Sequence, residues 1–138
     1  MSTKLQEKEE ALLRILQCLA EESAKGTPIV VEGKKDTQTL RTLGIEGPII
    51  SAKSGGKTFQ DLISEIEQAK TRKVILLLDF DKRGREWISR LKQHLERART
   101  TPDSTYWAQL IGLVGKDIKD IESLSSYMET LKSKSRNS

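Results

Sequence analysis

The chain of 138 residues holds one cysteine, Cys18, and one histidine, His94. A single thiol excludes internal disulfides and a cysteine-rich zinc site. Aromatic residues make up only 4% of the chain, so no run of rings stands out as a platform for stacked bases. No apolar run approaches the ~20 residues of a membrane span. The N-terminus is charged and lacks the apolar segment of a signal peptide, so a reducing, cytoplasmic setting is the expectation. Internal repeats and long linkers are missing too, and 138 residues suffice for one domain with a real core.

Charge is what the chain has in quantity. Charged residues make up 32%, with 24 Lys and Arg against 20 Asp and Glu, a formal net charge of +4 and a pI of about 9.2. That balance favours a polyanionic partner. Leu5, Leu12, Leu16 and Leu19 recur at helical spacing and predict an amphipathic helix over 3–24, closed by Gly26 and Pro28. Short apolar runs at 28–32, 49–52 and 74–80 read as buried parallel strands, and 106–114 as a fourth. Helices are predicted over 35–43, 58–69, 84–99 and 118–132, with loops at 53–57 and 100–105. The expected organisation is a helix in 1–27 packed on a domain of 28–132, followed by a disordered basic tail, 133–138. Alternating strands and helices imply βαβ units: an α/β fold with about four strands, mainly parallel, and helices on both faces.

Two of the strands stop abruptly at acid. Glu32 ends the first; Asp79 and Asp81 end the third. Strand C-termini are where open α/β sheets bind ligands. In extended backbone Asp79 and Asp81 point to one side and Phe80 to the other. Converging carboxylates repel, and a hard divalent cation such as Mg²⁺ is the usual remedy.

At Val-Glu-Gly-Lys-Lys-Asp (31–36) and Leu-Asp-Phe-Asp-Lys-Arg-Gly-Arg-Glu (78–86) the chain resembles the Toprim family, the catalytic domain shared by topoisomerases, bacterial-type primases and certain nucleases. That family's pattern is a Glu at one strand end, often followed by Gly, then Asp-x-Asp at a later one. The resemblance runs over about 29–114 and is greatest to the small stand-alone primase-like Toprim proteins of archaea and bacteria. It implies a Rossmann-like Toprim fold, Mg²⁺ (Mn²⁺ as the alternative) held by Asp79, Asp81 and Glu32, and Glu32 as general acid/base. The implied reaction is phosphodiester cleavage or phosphoryl transfer on RNA or DNA, the work of a nuclease or nucleotidyl transferase. Arg83 stands where single-strand topoisomerases carry a further acid, and no tyrosine-bearing domain accompanies it, which speaks against strand passage. The zinc-binding and flanking parts of primases are missing as well. The alternative is a non-catalytic RNA- or DNA-binding accessory factor that keeps the metal site. A protein partner or self-association would then complete its groove.

Lys34, Lys35, Lys53 and Lys57 fall in loops near the acidic rim, and Lys82, Arg83 and Arg85 flank the Asp pair. All seven are candidate phosphate contacts. Arg90, Lys92, Arg97 and Arg99 read equally as phosphate contacts or as a solvated helix face. Gly33 and Gly84 are expected to supply structural turns, and Asp36 to cap the helix after Gly33. Trp87 reads as core, His94 as a surface helix residue and Cys18 as a packed or half-exposed thiol. Gly56-Lys57-Thr58 imitates the end of a P-loop, but the first glycine of that motif would be Ser51, so the nucleotide-triphosphatase reading fails there.

Overall fold

The structure, a computed structural model, describes residues 3–136. Helix α1 (Lys4–Ala24) starts at a reciprocal cap: Thr3 Oγ1 accepts the Gln6 N–H at 3.0 Å, and Gln6 Oε1 accepts the Thr3 N–H at 2.9 Å. It buries Leu12, Leu16 and Leu19. Three βαβ units follow. They comprise β1 (Ile29–Val31), α2 (Lys34–Thr42), β2 (Ile49–Ser51), α3 (Phe59–Gln68), β3 (Lys73–Leu76), α4 (Lys82–Arg97) and β4 (Thr101–Asp103), with one 3₁₀ turn at Ser54–Gly56. Helices α5 (Thr105–Val114) and α6 (Leu124–Arg136) complete the chain. None of the helices described is long and apolar enough to cross a membrane.

The four strands are parallel in the order β2-β1-β3-β4. Period two splits their side chains between two cores. Ile29, Val31, Ile75 and Leu77 face α1, α2, α5 and α6; Val30, Val74, Leu76 and Leu78 face α3 and α4. Residues 74–78 are buried without alternation because both faces are covered. Each fully buried Leu or Ile contributes about 1.5–3 kcal/mol relative to exposure.

This topology fixes where a site can form. From β1 the chain crosses to β2 at one edge; from β2 it returns past β1 to β3, then on to β4. Crossovers of one hand must therefore put α2 on one face and α3 and α4 on the other, as found. The chain leaves β1 and β3 toward opposite faces, and a crevice opens between their C-terminal ends.

The expected α/β architecture with helices on both faces is present, with three local corrections. Residues 106–114 are not a strand but lie in α5; Tyr106, Leu110 and Val114 recur every four residues, a helical period that outweighs their β-favouring composition. The fourth strand is β4, in what reads as a loop. It is a three-residue edge strand with Thr101 exposed, and Pro102 is tolerated because an edge strand has one unpaired side. The last helix starts at Leu124 rather than 118 and continues to Arg136, so 133–136 are helical where a disordered tail is expected. Residues 137–138 lie outside those described. Cys18, expected packed or half-exposed, is exposed on α1.

A candidate acidic centre at the switch point

The crevice between β1 and β3 is where Glu32 and Asp79 meet. Glu32 follows β1 directly. Beyond β3 the ladder persists, with the Leu77 N–H donating to the Val30 carbonyl at 2.9 Å, and this carries Asp79 to the same rim. The Asp79 backbone is clamped. Trp107 Nε1–H donates to its carbonyl at 3.3 Å, and Gly84 packs on that same carbonyl. A Cβ at position 84 would lie 2.0 Å from the oxygen, so only glycine permits this approach.

Glu32 Oε1 and Asp79 Oδ1 are buried and no donor reaches either. A hydrogen bond between the two acids therefore requires one of them to carry a proton. Burial pushes Asp79 from 3.8 up to about 7, and the hydrogen bond that its protonated carboxyl donates to Glu32, with the charges of Glu32, Asp36 and Asp120, adds to it. Glu32 Oε2 is paired with Lys53 Nζ at 3.2 Å. Asp36, buried at 6% exposure, caps α2 from within by accepting the Gly33 N–H at 3.0 Å. Its carboxyl is also raised, chiefly by burial, against the lowering effect of that bond.

These side chains line a cleft of about 310 Å³. The lining also includes Asp120 and Glu122, which are not among the site residues expected from the sequence. Both lie in the turn before α6, tied down where the Phe80 N–H donates to the Lys119 carbonyl at 2.8 Å and the Ser123 N–H to Asp120 Oδ1 at 2.8 Å. The pattern Asp120-Ile121-Glu122, with Ile121 fully buried between two acids, was the available signal. It repeats the acid–apolar–acid order of Asp79-Phe80-Asp81.

A family model described as Toprim-like matches residues 29–121. The chain belongs to the Toprim-like family. A UPF0292 protein of Archaeoglobus fulgidus is 34% identical over 113 residues, 82% of this chain and 86% of that one. A UPF0292 protein of Methanocaldococcus jannaschii is 35% identical over 120 residues, covering 86% and 91%. Among solved structures, a protein from Aquifex aeolicus superposes with a TM-score of 0.67 at 28% identity, over 81% of this chain and 96% of its own.

Within this Toprim-like domain the expected site residues part company. Glu32, Asp79, Lys34, Lys35 and Lys53 share the cleft. Asp81 does not: the chain bends at 80–81, Phe80 turns into the core, and Asp81 becomes the N-cap of α4, its Oδ1 accepting the Gly84 N–H at 2.7 Å. Asp81 is itself extended (φ −114°, ψ 179°), but the chain bends at 80–81, and its carboxyl is drawn to the start of α4 rather than into the cleft. Lys57 is also elsewhere. It donates to the Ser51 carbonyl at 2.6 Å and pairs with Glu65, holding the loop after β2. Lys82, Arg83 and Arg85 are exposed on the first turn of α4, outside the cleft lining. Gly33 has open space at its Cβ position and an extended backbone (φ −146°), so a tight turn is not what it provides; its N–H anchors Asp36.

Two unpartnered buried carboxylate oxygens side by side match the donor chemistry of a hard divalent cation. Mg²⁺ is commonly held by one or two carboxylates, with water and substrate phosphate completing its shell. Among the described residues, no three acidic, imidazole or thiol groups converge closely enough to hold an ion as they stand. The fit therefore rests on Glu32 and Asp79.

Proposed function

We propose that this protein is a cytoplasmic, Mg²⁺-dependent Toprim-like enzyme that cleaves or transfers phosphodiesters of RNA or DNA. The observation that carries the reading is the pair of buried, donorless oxygens on Glu32 and Asp79 at the sheet's switch point. Glu32 and Asp79 would hold the ion, with Asp81 joining once its carboxyl leaves the Gly84 N–H. The bound cation would relieve the repulsion of the acids and stabilise charge on the phosphate oxygens. Glu32 would move the proton between attacking or leaving oxygen and solvent. Lys53, paired with Glu32, would take a phosphate oxygen instead. Lys34 and Lys35, exposed at the cleft mouth, would draw in the backbone.

The test is cleavage of labelled oligonucleotides with Mg²⁺ or Mn²⁺ by wild type and Glu32→Gln. Metal-dependent products that vanish in the variant while binding persists are expected. No product under either metal, with binding intact, would sink the enzymatic reading. The commitment of Asp81 to capping α4 favours one second reading, an accessory RNA- or DNA-binding factor whose acid pair takes metal without turnover.

A further inference from the structure

Trp87, expected in the core, is only half-buried, and a line of contacts leads from the acidic centre across it. Lys53 Nζ, bound to Glu32, lies 5.8 Å from the Trp87 ring centroid. Trp87 meets Phe59 edge-on at 5.8 Å, and Phe59 meets His94 edge-on at 4.9 Å. The Arg90 guanidinium sits over Phe59 at 4.1 Å. Phe59 and His94 are half-buried like Trp87.

Helix α4 lays out this surface as one row. Arg83, Trp87, Arg90, His94 and Arg97 follow each other at spacings of four, three, four and three, next to the buried row Gly84, Ile88, Leu91 and Leu95. The three arginines of the row are exposed and the two rings are half-exposed. Of the two carboxylates of α4, Glu96 lies on another face, and Glu86 flanks the row on its outer side, three residues after Arg83 and four before Arg90. The row starts beside Asp81 and runs about 21 Å along the helix at 1.5 Å per residue. Cations alternating with rings suit a strand whose phosphates and unpaired bases alternate. A duplex hides its base faces and would use only the arginines.

We propose that this row of α4, with Phe59 and Lys53, is a track for single-stranded RNA or DNA, on which bases stack at Trp87 and His94, both braced by Phe59, while Arg83, Arg90 and Arg97 hold the backbone that enters the acidic cleft. This deepens the nucleic-acid reading and rests on it.

The test labels the protein with 5-fluorotryptophan, which gives one ¹⁹F resonance each for Trp87 and Trp107, assigned with Trp87→Leu. It is titrated with a 12-nucleotide oligo(U), the matching oligo(dT), and a 12-base-pair duplex. Either single strand should shift the Trp87 resonance and bind more tightly than the duplex; the tighter of the two identifies RNA or DNA. Trp87→Leu and, separately, Arg90→Ala should weaken single-strand binding about tenfold. Arg97→Ala, fully on the surface, should lower the steepness of the log–log salt dependence by about 0.7. Preference for the duplex, or single-strand affinity unchanged in all three variants, overturns the track. If that binding is instead lost in Lys34→Ala and Lys35→Ala, the track fails while the nucleic-acid reading survives. Absence of binding to all three ligands overturns both.

Discussion

Asp79 stores instability that its replacement should release. In the folded protein its carboxyl titrates at about 7 against 3.8 for the free side chain, because it is buried beside Glu32. Between those values the folded state keeps a proton that the unfolded chain has lost, so stability falls as pH rises from about 4 to about 7. Roughly 3 units at 1.36 kcal/mol each give ~4 kcal/mol; halving for the water that still reaches a half-buried carboxyl leaves ~2 kcal/mol. Asp79→Asn has no such charge to bury. At pH 8 it should be more stable than wild type by about 2 kcal/mol, or about 6 °C in Tm for a chain of this size. At pH 4 the difference should vanish. Groups with lowered pKa, such as Asp103 and Asp117, act in the opposite sense but equally in both proteins, so the difference between them isolates Asp79. Thermal denaturation followed by circular dichroism from pH 4 to 8, in EDTA, reads it directly. A second arm adds 10 mM Mg²⁺ at pH 8, which should raise the Tm of wild type and leave the variant unmoved. A pH-independent difference, or a variant less stable at pH 8, would show that Asp79 is not held against its charge and would refute the reasoning.

Substitutions at three further positions separate structure from function. Asp81→Asn keeps an N-cap and should match wild type within about 0.5 kcal/mol in urea denaturation, whereas Asp81→Ala should lose about 1 kcal/mol; if Asp81 joins a metal site, Asp81→Asn should still blunt the Mg²⁺ response. Gly84→Ala drives a methyl into the Asp79 carbonyl and should cost about 3 kcal/mol, seen as a lower urea midpoint together with shifted amide resonances around Asp79. Lys57→Ala should lower stability by about 1 kcal/mol without weakening oligonucleotide binding, because its ammonium serves Ser51 and Glu65; equal loss of affinity in Lys57→Ala and Lys35→Ala would return Lys57 to the phosphate-binding set.

How much was legible follows from what each signal depends on. Residues 74–78 declare a doubly covered strand by composition alone, and Glu32 and Asp79 declare a rim by ending such strands; those inferences need only local chain, and they hold. Asp81 needed one thing more, the backbone direction two residues beyond the strand. That direction is set by Phe80 seeking the core, a tertiary event, and by Gly84 closing on the Asp79 carbonyl five residues back, which apolar patterning does not reveal. Sequence spacing placed Asp81 beside Asp79; packing made it a helix cap. Edge strand β4 was illegible for a related reason. Its three residues gain their strand geometry from Lys73–Ile75 alongside, not from any apolar pattern of their own. Asp120 and Glu122 reach the cleft because their turn is tied down at both sides of it: Lys119 accepts the Phe80 N–H, and the Glu122 carbonyl accepts the Thr39 hydroxyl at 3.0 Å. The Phe80–Lys119 bond ties the turn before α6 to the end of β3, and that placement makes a testable demand on the acidic centre. If Asp120 contributes to the field that holds Asp79 near 7, as its charge on that cleft wall requires, then Asp120→Asn should shift the midpoint of the Asp79 titration downward. Burial and Glu32 act more strongly, so the shift should be a fraction of a unit, measurable from the side-chain carboxyl ¹³C resonance. An unchanged midpoint would mean that the turn only walls the cleft, and that its acids face solvent when the protein works.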